Sequence, residues 1–420
     1  MTKPLAALIL AAGRGERMNS DLPKVLHQAA GVPLIRHVIE AVRESGIGRI
    51  GVVVGVQSKD ISSFLNGAVT VVQKNRLGTA HAVMQARNQF GSGNGDLLIL
   101  PADAPCIRTE TLREFIREHR KNSASASVLT AEVDDPSGYG RILRRGNKVV
   151  GIREELDATQ TERRIREVNS GIYLFDVGDL FKRLSEIRKN QKKKEYYLTD
   201  VIEVYIRSGE SIQAHRISDS REIIGVNTRR ELAVVNQILN ERELKRHSKA
   251  GVTILEPAQT FIAKGARIGR DTVVYPFTWI ERDVVIGRKC EIGPFAKIRS
   301  GSEIADEVVI GSFVEVVRSK IGTKPYVKHL SYLGDAQVGK KVNVGAGTIT
   351  ANFDGRKKHT TVIRDGVLLG CDTILVAPVT VGRGAKTGAG AVVCACRPIP
   401  AGKTAIGIPA KVMRKNKKGK

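Results

Sequence analysis

The chain has 420 residues, enough for two or three domains, and its 41% hydrophobic and 26% charged content is typical of a soluble globular protein. Lysine and arginine number 68 against 43 acidic residues, and the resulting net charge of +25 attracts polyanions. Aromatic residues make up only 5% and form no stacking motif, which disfavours nucleic-acid binding and favours a basic, solvated surface.

Cysteine content and hydropathy indicate the cellular compartment in which the protein is expected. Five scattered cysteines are too few for a disulfide framework and fit a reducing cytoplasm. No stretch approaches the roughly 20 apolar residues that span a bilayer. The sequence therefore predicts a cytoplasmic protein without a membrane span. Basic runs at Arg188–Lys194 and Arg414–Lys420 are expected to form a mobile loop and a frayed tail.

Residues 1 to about 229 alternate short apolar runs with helical patterns. The runs predict buried parallel strands at Leu5–Leu10, Ile50–Val54, Val69–Val72 and Leu97–Leu100. The helical patterns between them lie at Pro33–Ser45, Thr79–Gln89 and Arg108–Lys121. This alternation indicates an α/β domain with helices on both faces of its sheet, in which ligands bind at the carboxyl ends of the strands.

A glycine-rich turn directly follows the first strand. Gly13 and Gly15 can offer backbone N–H groups to a phosphate, and Arg17 and Lys24 add two cations at short range. A purely structural turn would need neither cation. The turn is not a P-loop, because the Gly-Lys-Ser/Thr ending is absent, and it has only two of the three glycines of the dinucleotide fingerprint.

Further polar residues follow the later strands. Asp103 ends the fourth strand at the same edge as the glycine turn and could hold Mg²⁺ beside phosphates, or could instead cap the helix near Thr109. Spacing alone leaves both roles open. Gln73 and the segment Leu77–Thr79 could contact a base edge. Other candidate contacts, each also explained by a simple turn, are Pro136–Arg141, Glu154, Asn169–Gly171 and Gly225–Asn227.

One amphipathic helix, Arg229–Lys249, is expected to link the two halves, with residues 230–250 as the linker and 251–420 as the second domain. In that domain every sixth residue is aliphatic and β-branched over ten positions: Ile262, Ile268, Val274, Ile280, Ile286, Ile292, Ile298, Ile304, Ile310 and Val316. A period of six fits neither a helix nor an ordinary strand. It predicts a hexapeptide β-helix, a triangular prism of stacked parallel strands with about 18 residues per turn.

Two interruptions of the six-residue period are expected to leave the prism as loops. The first is Ile321–Gln337 and the second is Ala351–Thr361, after which the pattern returns in a new phase. The first contains His329, which could act as a general base near neutral pH or could simply be solvated.

In combination and in this order, the motifs resemble one family over nearly the whole chain: the bacterial bifunctional N-acetylglucosamine-1-phosphate uridylyltransferase / glucosamine-1-phosphate N-acetyltransferase. The motifs that carry the resemblance are Leu10–Met18, Lys24, Leu77–His81, Asp135–Arg141, Asn169–Gly171, Gly225–Asn227, His329–Asp335 and Asn343–Thr348. It implies a Rossmann-like nucleotidyltransferase domain over residues 1–229, then a left-handed parallel β-helix of hexapeptide repeats that associates as a homotrimer. The product would feed peptidoglycan and lipopolysaccharide synthesis.

The resemblance also implies residue roles in a first site, where uridylyl transfer from UTP to N-acetylglucosamine-1-phosphate releases pyrophosphate. Arg17 and Lys24 would neutralise the triphosphate, while Asp103 and Asn227 would bind Mg²⁺. The residues that would hold the uridine and the sugar are Leu10, Ala11, Ala12, Gly13, Gln73, Gly78, Thr79, Gly140, Glu154 and Asn169.

A second site would acetylate glucosamine-1-phosphate with acetyl-CoA and would form between subunits. His329 would be the base towards the amine. The implied contacts to the sugar phosphate are Arg299, Tyr332, Asn343 and Lys358. Those along acetyl-CoA are Asn352, Phe353, Cys371 and Ala389.

The sequence departs from the family pattern in this second half. Val317 replaces a lysine, Phe353 a tyrosine, Cys371 a serine and Gly407 an arginine, and the prism is about two coils shorter before Arg299. An enzyme with uridylyl transfer alone, and the prism as a trimer scaffold, is therefore an alternative. A different sugar nucleotide is another. A non-catalytic assembly subunit need not keep both Lys24 and Asp103, and this chain keeps them.

Overall fold

The computed structural model describes residues 3–56, 61, 63–65, 67–191 and 194–413. The chain divides into two compact units, residues 1–238 and 239–420. The basic tail Arg414–Lys420 and residues 192–193 of the basic loop lie outside the described residues. Among those described, no helix combines the length and the apolar character that crossing a membrane requires.

The first unit contains eleven described strands and several helices. Its strands are β1 Leu5–Ala11, β2 Gln28–Ala29, β3 Val32–Pro33, β4 Arg49–Gly55, β5 Val69–Gln73, β6 Asp96–Pro101, β7 Ala126–Glu132, β8 Arg141–Arg145, β9 Lys148–Arg153, β10 Glu167–Asp176 and β11 Ile212–Ile217. Its α-helices are α1 Leu34–Glu44, α2 Thr79–Met84, α3 Arg87–Phe90, α4 Thr109–Lys121, α5 Val177–Ser185, α6 Asp200–Arg207 and the start of α7 Arg229–Lys249. Short 3-10 turns lie at Glu16–Met18, Lys24–Leu26, Glu162–Arg164 and Ser220–Ile223.

The main sheet has the order β11-β7-β10-β6-β1-β4-β5, with the β8–β9 hairpin attached through β10. The four predicted strands, β1, β4, β5 and β6, are confirmed and pair in parallel. Strand β10 runs antiparallel to β6 and β7, so the sheet is mixed beyond β6. The carboxyl ends of β1, β4, β5 and β6 therefore share one edge.

Both faces of the sheet are covered, as the alternation predicted. Leu8 and Ile9 belong to two different apolar clusters, because successive strand residues point to opposite faces. The predicted helical segment Thr79–Gln89 is helical, but it is not one continuous helix. It is divided into α2 and α3 at Ala86, whose N–H bonds the Val83 carbonyl at 2.9 Å in a tight turn.

Helix α7 has the predicted bounds, Arg229–Lys249. It buries Val235, Ile238, Leu239 and Leu244. Within the second unit, the Asn240 amide donates to the Thr260 carbonyl at 2.8 Å and accepts from the Ile262 N–H at 3.0 Å. The Asn240 side chain thereby provides hydrogen-bond partners for backbone groups of the first coil of the prism.

The second unit is a parallel β-helix with three ladders, and the predicted prism is confirmed. Ladder one is Thr253–Ile254, Val273–Val274, Glu291–Ile292, Val309–Ser312, Tyr326–His329, Asn343–Val344, Leu368–Leu369, Lys386–Thr387, Thr404–Ile406 and Lys411–Val412. Ladder two is Phe261–Ile262, Trp279–Ile280, Lys297–Ile298, Glu315–Val317, Tyr332–Gly334, Ile349–Ala351, Ile374–Val376 and Val392–Val393. Ladder three is Arg267–Ile268, Val285–Ile286, Glu303–Ile304, Lys320–Ile321, Ala336–Val338, Thr361–Ile363 and Val379–Val381.

The interior of the prism is the aliphatic stack that the six-residue period indicated. All ten predicted positions from Ile262 to Val316 are buried in one core cluster. Ile262 pairs with Ile280, 18 residues further on, so three faces close each turn as expected.

The first predicted loop, Ile321–Gln337, is wrong, because the chain stays on the prism there. Ile304 pairs with Ile321 and Ile321 with Val338, each 17 residues apart, so each coil has lost a single corner residue. Val327 and Leu333 continue the buried interior stack. His329 consequently lies at the end of a ladder-one strand.

The second predicted interruption is confirmed as a loop. Thr350 pairs with Leu375, 25 residues further on, so this coil carries seven residues more than the regular 18. The extra residues form a small hairpin between Ala351 and Thr361, in which Phe353 and Lys358 are bridged antiparallel.

Candidate functional site

The glycine turn and Asp103 lie at the same edge of the first unit's sheet. Strands β1 and β6 are parallel neighbours with Leu10 opposite Pro101. The Ala102 N–H donates to the Leu10 carbonyl at 3.0 Å, so the two strands leave the sheet side by side. The predicted phosphate loop and the predicted metal carboxylate therefore lie together at the carboxyl ends of neighbouring parallel strands.

Lys24 joins two of the predicted residues. Its ammonium group forms an ion pair with the Asp103 carboxylate and donates to Asn227 Oδ1 at 3.0 Å. The Lys24 side chain is 12% exposed and that of Asp103 is 20% exposed. The alternative role of Asp103 as a helix cap is wrong, because Arg108 occupies the N-cap of α4 and makes no side-chain capping bond.

This arrangement also suits a divalent cation. The Asp103 carboxylate and the Asn227 amide oxygen converge on one cationic atom, Lys24 Nζ. Across the part of the chain that the structure describes, no cluster of three or more His, Cys, Asp and Glu side chains could hold a metal. Two oxygen donors are enough for Mg²⁺, which keeps several waters and uses few protein ligands.

Two glycines are required by the local geometry. Gly15 has φ +70°, and a Cβ there would lie 2.6 Å from Lys24 Cβ, so the lysine stem packs directly on this residue. Gly78 has φ +103°, and its Cβ would lie 2.5 Å from the Tyr196 carbonyl oxygen. A Cβ on Gly13 would meet nothing within 4 Å, which leaves open space beside the loop backbone.

A cleft of about 770 Å³ opens at this edge and brings together most of the first-site predictions. Those that line it are Leu10, Ala11, Ala12, Gly13, Lys24, Gln73, Gly78, Thr79, Asp103, Glu154 and Asn169. Gly140 adjoins it through its carbonyl, which accepts from the Asn169 N–H at 2.8 Å.

Arg17 is not among the described residues that line this cleft. It is exposed on the 3-10 turn Glu16–Met18, which lies between left-handed Gly15 and Asn19. Arg14 and Arg76 line the cleft instead, and the sequence analysis missed them in that role. Their positions after the first and third strands were the available signal.

The polar groups of the cleft are held by hydrogen bonds. Gln73 Nε2 donates to the Gly78 carbonyl at 3.1 Å, which fixes the orientation of its amide. The Asn169 amide donates to Tyr173 Oη at 2.7 Å, and Glu154 accepts from the Thr199 hydroxyl at 3.0 Å.

Acidic groups cluster behind Glu154. Burial, followed by the nearby carboxylates of Glu203, Glu154 and Asp157, raises the pKa of Asp200 to about 6. Arg153 opposes this rise as the nearby cation. The pKa of Tyr173 is also raised, chiefly because the ring is buried.

Most of the predicted second-site residues lie along ladder two and at its two corners, whereas Asn343 lies in ladder one. His329 is exposed at the corner before this ladder and pairs with Ser312 on the previous coil. Cys371 and Ala389 lie at the same corner on adjacent coils, where the Gly390 N–H donates to the Cys371 carbonyl at 2.8 Å. Asn343 is exposed in ladder one beside Tyr326.

The opposite corner holds the remaining contacts. A Cβ on Gly334 would lie 2.6 Å from Tyr332 Oη and 2.7 Å from Asn352 Nδ2, so these two side chains meet there. Arg299 lies between Glu315 at 3.3 Å and Glu281 at 3.7 Å. Lys358 is exposed on the hairpin.

That hairpin is ordered by Asp354. Its carboxylate accepts from the Arg356 and Lys357 N–H groups, both at 2.8 Å, and bonds His359 at 2.7 Å. Together these hydrogen bonds lower the pKa of Asp354.

Comparison with known proteins covers both units. The MobA-like NTP transferase domain matches residues 7–192, and the bacterial transferase hexapeptide (six repeats) matches residues 283–318. The bifunctional protein GlmU of Pelotomaculum thermopropionicum is 43% identical, and the match covers 89% of this chain and 90% of that protein. The chain belongs to the family of bifunctional GlmU proteins. GlmU of Geobacillus thermodenitrificans is 42% identical, covering 98% and 96%, and GlmU of Rubrobacter xylanophilus is 43% identical, covering 98% and 94%.

Membership of the GlmU family confirms the resemblance and makes the departures informative. Val317 is only 2% exposed, although it lies outside the core cluster of the prism. The neighbouring Arg318 donates to both Asp335 carboxylate oxygens, at 2.7 and 2.8 Å. This bond lowers the pKa of Asp335. Because the Arg318 guanidinium is already paired with Asp335, it is not available to replace the lysine that the family resemblance predicts at position 317.

The other departures from the GlmU pattern differ in their surroundings. Phe353 and Cys371 are exposed on the hairpin and at the corner. Gly407 has φ +86°, a left-handed conformation in which an arginine would be strained.

Proposed function

We propose that this GlmU-family chain synthesises UDP-N-acetylglucosamine in two steps at two separate sites. Residues 251–420 would acetylate glucosamine-1-phosphate with acetyl-CoA, and residues 1–229 would transfer the uridylyl group of UTP to the product. The observation that carries the proposal is the junction of Lys24 with Asp103 and Asn227 at the strand ends, beside an open glycine loop.

In the uridylyl step, a phosphate oxygen of the sugar phosphate attacks the α-phosphorus of UTP, and pyrophosphate leaves. The reaction needs positioning and charge neutralisation more than covalent protein chemistry. Lys24, Arg14 and Arg76 line the cleft and would neutralise the triphosphate, and Arg17 would add positive charge from the exposed turn Glu16–Met18. Bound Mg²⁺, held by Asp103 and Asn227, would neutralise charge on the phosphates.

The sugar and the base would contact different residues of the same cleft. Glu154, Asn169 and Gly140 would hold the N-acetylglucosamine. Gln73 and the turn Gly78–Thr79 would hold the uridine, since the Gln73 amide already has a fixed orientation.

In the acetyl step, the amine of glucosamine-1-phosphate attacks the thioester carbonyl of acetyl-CoA and the CoA thiolate leaves. His329 would take the proton from the amine. Tyr332, Arg299, Asn343 and Lys358 would hold the sugar phosphate. The acyl donor would lie along Asn352, Phe353, Cys371 and Ala389, in a cytoplasmic homotrimer.

Two assays on the full chain test both halves. UTP, Mg²⁺ and N-acetylglucosamine-1-phosphate should yield pyrophosphate, whereas glucosamine-1-phosphate and acetyl-CoA should yield free thiol. The second candidate, uridylyl transfer with the prism as scaffold, is favoured by buried Val317 and by the commitment of Arg318 to Asp335. Pyrophosphate without thiol would select it, and release of neither product would refute both.

A further inference from the structure

Lys24 occupies the position that the proposed function assigns to the metal. Its ammonium group contacts both proposed metal ligands, the Asp103 carboxylate and Asn227 Oδ1. A divalent ion bound by these same two oxygens would meet the ammonium at contact distance. The two cations would repel each other strongly in a cleft that is only partly solvated.

The two oxygen donors are held in place by the backbone around them. The Val226 N–H donates to the Asp103 carbonyl at 2.8 Å, which ties the two ligand-bearing segments together. The Glu231 carboxylate accepts from the Asn227 N–H at 2.7 Å and from the Thr228 N–H at 2.7 Å. The oxygens therefore stay converged, and Lys24 is the group that has to move.

The cleft contains open space into which the Lys24 ammonium group can move. The Lys24 side chain lines the same cleft as the Gly13 loop, beside which there is open space for phosphates. A triphosphate there would offer the ammonium several charged oxygens in exchange for one carboxylate. The stem can pivot on Gly15, against which its Cβ and Cγ pack.

We propose that Lys24 is an exchangeable counter-ion: its ammonium fills the metal position in the nucleotide-free protein and transfers to the triphosphate when the metal–nucleotide complex binds. This inference rests on the proposed function of the first site. Metal binding and nucleotide binding then depend on each other, because the metal replaces Lys24 as the counter-ion of Asp103 and the triphosphate replaces Asp103 as the partner of Lys24. The free protein should therefore bind a divalent ion weakly.

The test measures Mn²⁺ binding to the full chain without nucleotide, by titration calorimetry and by the loss of the free-ion EPR signal. Lys24→Met keeps the packed stem and removes the charge, and it should tighten Mn²⁺ binding by about tenfold. Lys74→Met is the matched control. Lys74 is an exposed lysine directly after β5, so this substitution should leave the affinity unchanged.

A second variant identifies the site. Adding Asp103→Asn to Lys24→Met should abolish the tightened binding, because it removes the charged ligand. Unchanged or weaker Mn²⁺ binding in Lys24→Met would overturn the exchange, as would tight binding that survived Asp103→Asn. Failure of the wild-type chain to release pyrophosphate would instead refute the proposed function, and the Mn²⁺ affinities would remain interpretable.

Discussion

Glu231 offers a direct test of how the first site is positioned. It lies in the first turn of α7 and does not line the described cleft. One of its oxygens accepts hydrogen bonds from the Asn227 N–H, the Thr228 N–H and the Thr228 hydroxyl, at 2.7, 2.7 and 2.9 Å. The Glu231 N–H in turn bonds Thr228 Oγ1 at 3.2 Å, which completes a capping box.

The expected cost of Glu231→Ala follows from these bonds. Loss of a helix cap destabilises a protein by about 1–2 kcal/mol, and partial access of water limits the loss here. Asn227 would lose its backbone anchor, so the oxygen that bonds Lys24 at 3.0 Å would no longer be held in place. Loss of a group that orients a metal ligand lowers affinity or activity by roughly 10–100-fold, and we expect uridylyl transfer to fall by that amount.

The assay compares pyrophosphate release with acetyl transfer in one preparation. The apparent Mg²⁺ constant of Glu231→Ala should rise, and acetyl transfer should be unchanged, because the affected residues belong to the first unit. Glu231→Gln keeps an acceptor oxygen and should recover part of the activity. Glu110→Ala is the matched control, because Glu110 is an exposed glutamate in the first turn of α4. Wild-type uridylyl transfer in Glu231→Ala, or an equal fall in both activities, would refute the positioning role.

Four further predictions use other groups. Asp103→Ala should reduce uridylyl transfer by about 100-fold or more while circular dichroism and acetyl transfer stay unchanged, since it removes the charged ligand of the metal that would neutralise the phosphates; undiminished turnover would exclude it from the mechanism. His329→Ala should abolish thiol release alone, and persisting release would refute its role as base. Because the folded-state pKa of Asp200 is raised, the stability that this residue contributes is present below pH 4 and is lost as pH rises towards 6. Asp200→Asn should therefore stabilise the protein by about 1 kcal/mol at pH 7.5 and should have no effect on stability near pH 3.5. Equal denaturation midpoints of the variant and the wild-type protein at pH 7.5 would contradict this. Gly78→Ala should lower both thermal stability and the affinity for UTP, because its Cβ would lie 2.5 Å from the Tyr196 carbonyl at positive φ, and a wild-type melting curve would contradict this.

The sequence predicted the sheet edge well because the rule involved is general. The residues that directly follow parallel strands lie at one edge of the sheet. Gly13 and Asp103 were therefore expected to be close if β1 and β6 were neighbours. The direction of an exposed side chain follows no such rule. Arg17 lies on a 3-10 turn between left-handed Gly15 and Asn19, and the motif does not specify the direction in which that turn points the side chain.

In the prism, the aliphatic period predicted the interior but misled at Ile321–Gln337. Loss of one residue at a corner shifts the six-residue period along the chain in the same way as an insertion does. The pairing of strands between successive coils is nevertheless kept. Only the ladder pairing separates the two cases. The same register places Asp335 one coil above Arg318, so their ion pair could not be predicted from the neighbouring residues alone.

One chain is proposed to carry both steps, and a single experiment tests this. The experiment supplies the purified full chain with glucosamine-1-phosphate, acetyl-CoA, UTP and Mg²⁺, and follows thiol, pyrophosphate and sugar nucleotide together. We expect thiol to appear first, followed by equal amounts of pyrophosphate and UDP-N-acetylglucosamine, with the second phase absent in Asp103→Ala. Sugar nucleotide formed at the wild-type rate by Asp103→Ala, or no pyrophosphate from the wild-type chain, would contradict the account.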